Sequence, residues 1–359
     1  MKRSMIPVMC AAVLLLATSA AQANSWDWSV YYTHTQTGQP NNWASIRGLA
    51  LAKDGSDLYW GHTSPARADS SAGLTDNTLN IVRLDRTSTN VLSHVVSNQP
   101  KALATDDRGF VYTITGGFNQ KNTVYVYDAG LTGLVNPGFL AGDSINTKYA
   151  IEGLEVLKSG NSYYLYTANR STGMVYKVDV TDIMNPGAPV LFYDLPATNA
   201  RGLTLDSTGA VWVADYSGKV YKIAPDGLTY ASVTVPSETG DVSIYGDFAY
   251  VSTYSTVEVL NVADMSLVRS LTNPLPPYPY GTTYGLGGLD MSADGQLLYV
   301  ANGNAYSTII GTGPNYTWTD RILTIEIPGA APIPEPLTLL AVGSGLAGLA
   351  GYIRRRKLA

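Results

Sequence analysis

The sequence predicts an all-β fold built from six four-stranded units, and three observations support this prediction. One pattern recurs along the middle of the chain: a small residue, an apolar-x-apolar strand, a turn and an aromatic-rich strand. Turn signals such as Asp54-Gly55 and Asp294-Gly295 separate the two strands, as hairpins require. Periods of about 40–50 residues with several short strands are typical of β-propeller blades. The first-strand apolar residue recurs every 39 to 54 positions, at Leu49, Leu103, Leu154, Leu203, Val242 and Leu289.

Each repeat continues with a third strand, and most continue with a fourth. The sixth repeat ends after its third strand, at a Pro/Ala-rich linker that begins at Pro328. The segment Trp26–Thr35 precedes the first repeat and reads as a lone strand. We therefore expect it to close blade six, because an open ring would leave edge strands free to pair with other chains. The alternative, a seventh blade from residues 24–46, has too few residues, so we predict one six-bladed β-propeller over residues 25–327.

The first 23 residues read as a secretory signal peptide. Lys2 and Arg3 precede a short apolar run, and Ala21-Gln22-Ala23 forms a cleavage signal. The run is too short for a membrane span, which needs about 20 apolar residues. Cys10, the single cysteine of the chain, lies inside this segment. The mature chain is thus expected to lack disulfides, thiol catalysis and thiolate metal sites.

The C-terminus has three parts in order. Pro334, Glu335 and Pro336 end the linker over residues 328–336, and an apolar segment follows over residues 337–353. About 17 residues is the lower limit for a spanning helix. The tail over residues 354–359 carries cations that the positive-inside rule keeps in the cytoplasm: Arg354, Arg355, Arg356 and Lys357.

These three parts resemble the PEP-CTERM sorting signal of Gram-negative bacteria. In that family exosortase, a membrane transpeptidase, recognises the signal and removes it at or near the Pro-Glu-Pro motif. The resemblance implies export by the Sec machinery and anchoring in the inner membrane by the C-terminal helix. Processing would then leave the protein at the cell surface or in the extracellular matrix. An ordinary tail anchor is the alternative.

The net charge indicates which partners the chain can bind. The formal net charge is −5, but the two signal segments hold six cations and one anion, so the mature body carries about −10. Nucleic-acid binding needs clustered cations that displace counterions, so no nucleic-acid partner is expected. We expect a monomer.

The repeat resembles the NHL and SMP-30-like six-bladed propellers, best over Ala200–Gly227. SMP-30-like lactonases hold a divalent metal in the channel with Glu, Asp and Asn residues. The resemblance therefore implies an alternative function, a metal-dependent lactonase or hydrolase with its site at the channel mouth. Cations at the same level of the channel depart from that pattern, so no catalytic residue is carried over. We predict a binding module rather than an enzyme.

Candidate ligand-binding residues lie where the inner strands begin. The residue before each small-Leu pair should face the axis, which places three cations and one carboxylate there: Arg47, Lys101, Glu152 and Arg201. They could hold an anion such as a uronate. The alternative is a mutual salt-bridge network in which Glu152 bridges Arg47 and Arg201.

The ends of the second strands complete the predicted channel-mouth site. They supply His62, Asn169, Asp215 and Asn302. No cofactor is expected, although Glu152, Asn169 and Asp215 could hold Ca²⁺ together with waters. Turn capping is the alternative role of Asn and Asp at strand ends. A Ser-His-Asp triad around His62 lacks a nucleophile-elbow pattern.

Four long loops are expected on the same face: Gly61–Asn77, Asn136–Ala150, Asn273–Leu286 and Gly303–Asp320. Aromatic rings among short polar side chains suit sugars, whose C–H faces stack on rings. The alternative is that the rings pack the loops onto the blades. The partner predicted from these features is polysaccharide or an envelope protein. The loop aromatics are Tyr149, Tyr278, Tyr280, Tyr284, Tyr306, Tyr316 and Trp318.

Overall fold

The structure, a computed structural model, describes the central part of the chain. The described residues are 26–37, 45–63, 79–88, 91–96, 99–116, 122–142, 151–196, 199–274, 286–309 and 316–328. They form 24 strands and no helix. None of the described segments forms a helix with the length and hydropathy that crossing a membrane requires. The signal peptide, the Pro-Glu-Pro motif and the C-terminal helix are predictions that lie outside these residues.

The strands form six antiparallel sheets of four strands each, which confirms the six-bladed β-propeller. Blade 1 comprises β2 (Ser45–Leu51), β3 (Asp57–Thr63), β4 (Leu79–Asp85) and β5 (Val91–Val96). Blade 2 comprises β6 (Gln99–Thr105), β7 (Phe110–Gly116), β8 (Thr123–Asp128) and β9 (Leu134–Leu140). Blade 3 comprises β10 (Ile151–Ser159), β11 (Ser162–Asn169), β12 (Met174–Asp179) and β13 (Val190–Asp194). Blade 4 comprises β14 (Ala200–Leu205), β15 (Val211–Asp215), β16 (Lys219–Ile223) and β17 (Tyr230–Thr234). Blade 5 comprises β18 (Thr239–Tyr245), β19 (Phe248–Thr253), β20 (Thr256–Asn261) and β21 (Leu267–Thr272). Blade 6 comprises β22 (Leu286–Met291), β23 (Leu297–Ile309), β24 (Tyr316–Glu326) and the N-terminal strand β1 (Trp28–Thr37).

Ring closure by the N-terminal strand is confirmed. β1 pairs antiparallel with β24, and the register matches Trp28 with Ile325 and Val30 with Leu323. The outermost strand of blade 6 therefore comes from the opposite end of the domain. The two ends of the propeller are joined by backbone hydrogen bonds within one sheet.

The core lies between neighbouring blades rather than at the centre of the ring. Six clusters of buried apolar residues each join one blade to the next. Tyr112 and Ile114 of blade 2 pack with Ile151 and Leu165 of blade 3. Because each blade buries both of its faces, the apolar positions of the repeat are explained by packing alone.

The repeat needs a small residue before its first-strand apolar residue for a steric reason. A Cβ atom added at Gly202 would lie 2.4 Å from the Cα of Asp241 in the next blade. A Cβ atom at Gly48 would lie 2.9 Å from the Cα of Ala102. Inner strands converge most closely at this level of the channel, so a side chain is excluded where the next backbone approaches.

Blade 2 has a fourth strand that the sequence analysis placed partly in a loop. The prediction of a loop beginning at Asn136 is wrong, because β9 extends to Leu140 and pairs with β8. Pro137 and Gly138 weaken the strand pattern. β9 is an edge strand, where proline is tolerated because no outer partner needs its missing N–H.

The predicted loop Gly303–Asp320 is also wrong for most of its length. β23 continues to Ile309 and β24 starts at Tyr316, and these two residues are paired. β1 follows β24 as far as the pair Thr37 and Thr317. Alternating Tyr, Thr, Trp and Ile residues favour strands, and three adjacent strands satisfy one another's backbone groups.

Candidate functional site

The inner strand of every blade begins at one face of the ring, which we call the mouth face. Lys101, Glu152 and Arg201 meet there near the starts of β6, β10 and β14. The Lys101 Nζ atom donates to the Glu152 Oε1 atom at 3.0 Å. The Arg201 Nε atom lies 3.7 Å from the Glu152 Oε2 atom. The Glu152 side chain is only 5% exposed, so this carboxylate is buried among cations.

Arg170 completes the cluster, and the sequence analysis did not identify it. Its Nη1 atom donates to both carboxylate oxygens of Glu152, at 3.0 Å and 3.2 Å. Arg170 follows the last residue of β11, and the pairing of Ile151 with Asn169 brings it beside Glu152. Aligning the residue that follows each second strand would have revealed it. We call Lys101, Glu152, Arg170 and Arg201 the mouth ring.

Arg201 also connects the mouth ring to blade 4. Its guanidinium carbon lies 3.8 Å from the ring centroid of Tyr216, a cation–π contact. Tyr216 follows β15 just as Arg170 follows β11. Burial raises the pKa of Tyr216, and the facing Glu238 carboxylate raises this pKa further. The mouth ring thus extends through Arg201 and Tyr216 toward Glu238.

Within the described side chains, the mouth ring holds three cations against one carboxylate. Their exposed fractions are 11% for Lys101, 12% for Arg170 and 16% for Arg201. Charges held this far from bulk water are weakly screened, so their field at the mouth is strong. The ring is a salt-bridge network that brings three cations to one carboxylate. Arg47 and His62 are placed by their backbones on β2 and β3, and their side chains lie outside the described part.

The Asn and Asp residues predicted at the strand ends serve local turns. The Asn169 Oδ1 atom accepts the backbone N–H groups of Ser171 and Thr172, at 2.8 Å and 3.1 Å. The Asp215 carboxylate accepts the N–H groups of Ser217 and Asn199, at 2.9 Å and 3.1 Å.

Asn302 is buried at the point where the β23 register shifts. Among the described residues, no group of three or more His, Cys, Asp or Glu side chains could hold a metal ion.

The loop aromatics do not form a single described cluster. Tyr306 lies on β23, and Tyr316 and Trp318 lie on β24, so the backbone places them in a hairpin rather than a loop. Tyr149, Tyr278, Tyr280 and Tyr284 lie outside the described residues.

A second set of charged residues lies deeper in the channel, and the sequence analysis did not identify it. Asp241 accepts the Leu289 N–H group of the next blade at 3.1 Å. Asp290 accepts the Leu51 N–H group of blade 1 at 2.8 Å. Glu155 accepts from the Lys53 Nζ atom at 3.2 Å. Two of these carboxylates therefore tie neighbouring inner strands together.

Burial changes the protonation of the deep carboxylates. It raises the pKa of Asp241 to about 8, against the lowering effect of the Leu289 and Val242 N–H groups. It raises the pKa of Asp290 to about 6, opposed mainly by the charge of Lys53. The Glu155 charge raises both of these pKa values further.

The channel itself is narrow. Its cavity volume is about 80 Å³, which is room for several waters and less than the roughly 300 Å³ at the lower end of ligand pockets. A sugar therefore does not fit between the inner strands. A ligand of that size could reach the cations only from the mouth face.

The comparisons with known proteins identify the fold only. No protein-family model and no curated protein matches the chain. Among solved structures, the chain is similar to one in a nidogen/laminin complex, with 14% identity and a TM-score of 0.50. That match covers 67% of this chain and 94% of the other. It is also similar to the structure of U3-55K, with 11% identity, a TM-score of 0.50, and coverage of 82% and 98%.

Proposed function

We propose that the chain is a non-enzymatic binding module of the bacterial envelope or extracellular matrix that captures carboxylates of acidic polysaccharide at the mouth ring. The β-propeller fold is compatible with a binding module. The observation that carries the proposal is the convergence of Lys101, Arg170 and Arg201 on the single carboxylate of Glu152.

The chemistry of the ring favours a carboxylate ligand. Guanidinium groups present paired N–H donors whose spacing matches the two oxygens of a carboxylate. The ring also keeps Glu152 compensated without a ligand, so the site can be stable while empty. A uronate carboxylate approaching from the mouth face would meet the N–H donors of three cations. Glu152 would keep the cations in place as the ligand arrives.

The terminal segments support a location outside the cell. The resemblance of residues 332–359 to a PEP-CTERM signal supports export by the Sec machinery and recognition by exosortase. The segment over residues 337–353 would hold the protein in the inner membrane before processing. The processed protein would then act at the cell surface.

Calorimetric titration with glucuronate and galacturonate tests the proposal. We expect wild-type protein to bind at least one uronate, and Arg201→Ala to weaken binding at least tenfold, because a hydrogen bond to a charged group contributes about 1.5–3 kcal/mol. Arg201→Ala leaves Glu152 paired with Lys101 and Arg170, so the variant should fold.

Lys158→Ala is the matched control. It removes a half-exposed cation that pairs with Asp107 at the far end of β10, about 20 Å along the strand from Glu152. This variant should bind like wild type. Equal uronate affinity in wild type and Arg201→Ala, or no uronate binding at all, would contradict the proposal.

A further inference from the structure

A second surface site lies beside the mouth ring, between blades 4 and 5. It is a shallow depression open to solvent, with a volume of about 590 Å³. We call it the blade 4–5 groove. Its lining combines three hydroxyl side chains with one carboxylate, one tyrosine and two apolar residues: Ser217, Thr234, Val235, Pro236, Ser237, Glu238 and Tyr254.

The groove continues directly from the mouth ring. Arg201 of the ring stacks on Tyr216, and Tyr216 faces Glu238 in the groove wall. Ser217, the next residue of the chain, lines the same groove. A ligand held at the ring would therefore have the groove as the adjoining surface of blade 4.

The groove is held in shape by backbone contacts. The Val235 N–H group donates to the Gly218 carbonyl oxygen at 2.8 Å. Gly218 has a φ of +84°, and a Cβ atom there would lie 3.0 Å from the Ser237 carbonyl oxygen. The Thr239 hydroxyl donates to the Asp215 carbonyl oxygen at 2.6 Å. Because these contacts fix the walls, little ordering is needed when a ligand binds.

The chemistry of the groove differs from that of the ring. Among its described lining residues there is no cation, and Glu238 is an exposed carboxylate. Sugar hydroxyls can donate to this carboxylate and exchange hydrogen bonds with serine and threonine, and the partly exposed Tyr254 adds an aromatic side chain to the lining. A second anionic sugar would be repelled by Glu238. The groove thus favours neutral sugars.

We propose that the blade 4–5 groove is a neutral-sugar subsite that extends the carboxylate site of the mouth ring. The proposal rests on the proposed function for the identity of the neighbouring site. The chain would then bind a polysaccharide in which a neutral sugar adjoins an acidic sugar.

Titration with three ligands tests the subsite. These are a uronic acid monosaccharide, an oligosaccharide with one uronate among neutral sugars, and an oligouronate of the same length. We expect the mixed oligosaccharide to bind at least tenfold more tightly than the monosaccharide, and the oligouronate to gain no such advantage. Tyr254→Ala should remove the advantage, and Glu238→Gln should improve binding of the oligouronate. Tyr230→Ala, which truncates an exposed tyrosine outside the groove, is the matched control and should bind like wild type.

Saturation-transfer NMR with cellobiose, maltose and lactose tests binding at the groove independently of binding at the mouth ring. We expect transfer to at least one disaccharide in wild type and in Arg201→Ala, and its loss in Tyr254→Ala. This result would support the groove even if uronate binding failed. Absence of Tyr254-dependent transfer to all three disaccharides would overturn the subsite, whatever the ring binds.

Discussion

At the residue scale, Glu152 organises the channel mouth. Its carboxylate is buried and pairs with residues of blades 2, 3 and 4. Removing Glu152 would take away the carboxylate that Lys101, Arg170 and Arg201 share, which is costly for buried charges. Removing one of these cations leaves the carboxylate paired with the other two. The ring is therefore better tested at its cations than at Glu152.

The deep carboxylates make folding stability depend on pH. The folded pKa values of Asp241 and Asp290, about 8 and about 6, exceed their ordinary value of 3.8. The folded state therefore binds more protons than the unfolded state between pH 4 and pH 8. The contribution is present below pH 4 and is lost as pH rises through the folded values. We expect the free energy of unfolding, measured in urea, to fall from pH 5 to pH 9.

The variant Asp241→Asn/Asp290→Asn should flatten this slope, because it removes both titrating groups. Asp264→Asn is the control, since Ser266 lowers the pKa of this exposed carboxyl and keeps it charged across the window. The control should retain the wild-type slope. A wild-type stability that rises toward pH 9 would contradict the assignment.

At the element scale, the pairing of β1 with β24 closes the ring. Trp28 lies in the apolar contact between blades 5 and 6, and the Ser29 and Thr324 hydroxyls are 2.6 Å apart across the pair. Strand pairing here links positions 295 residues apart in the chain. Loss of β1 would expose β24 as an unpaired edge.

A disulfide across this seam tests its contribution. Ser29 and Thr324 are directly paired, so the double substitution Ser29→Cys/Thr324→Cys should form a disulfide. Closing so long a loop stabilises by about 6 kcal/mol in the chain-entropy model. We expect Tm to rise by about 5 °C or more under oxidising conditions and to return with reductant. Ser29→Cys alone should show no such change, and an oxidised double variant with unchanged Tm would show that the seam does not limit stability.

At the scale of the whole molecule, the charged side chains of the channel form two sets. The mouth ring is cation-rich, whereas Lys53, Glu155, Asp241 and Asp290 form a second set that includes the Lys53–Glu155 ion pair and links neighbouring inner strands. The cavity of about 80 Å³ between the inner strands is too small for a sugar, so a sugar ligand is limited to the mouth face.

Mass spectrometry tests the proposed processing in a Gram-negative host that has exosortase. We expect the surface form to begin after Ala23 and to end at or near Pro334–Pro336. Replacing Pro334, Glu335 and Pro336 by alanine should retain a membrane-bound form that keeps its basic tail, because the recognition motif is lost. A surface form of the motif variant with the wild-type mass would contradict recognition by this motif.

The sequence by itself determined the blade number, the strand order and the closing strand, because the period of the repeat and the alternation along each strand are local properties. It also identified Lys101, Glu152 and Arg201, which share one register position. It missed β9, because Pro137 looks like a breaker until the strand is known to lie at an edge. It placed Tyr306 and Trp318 in a loop, although they lie in the hairpin of β23 and β24, because the third strand that pairs there, β1, comes from the opposite end of the domain.

Only the tertiary structure decided how these residues meet. Arg170 joins Glu152 because β10 and β11 bring residues 18 positions apart into contact. Asp241 replaces the small residue of its repeat and instead ties blade 5 to blade 6. The blade 4–5 groove combines side chains from two blades, and no single repeat contains it. The grouping of charges, the burial of side chains and the shape of the groove depend on residues from several blades, so they are determined only when the ring closes.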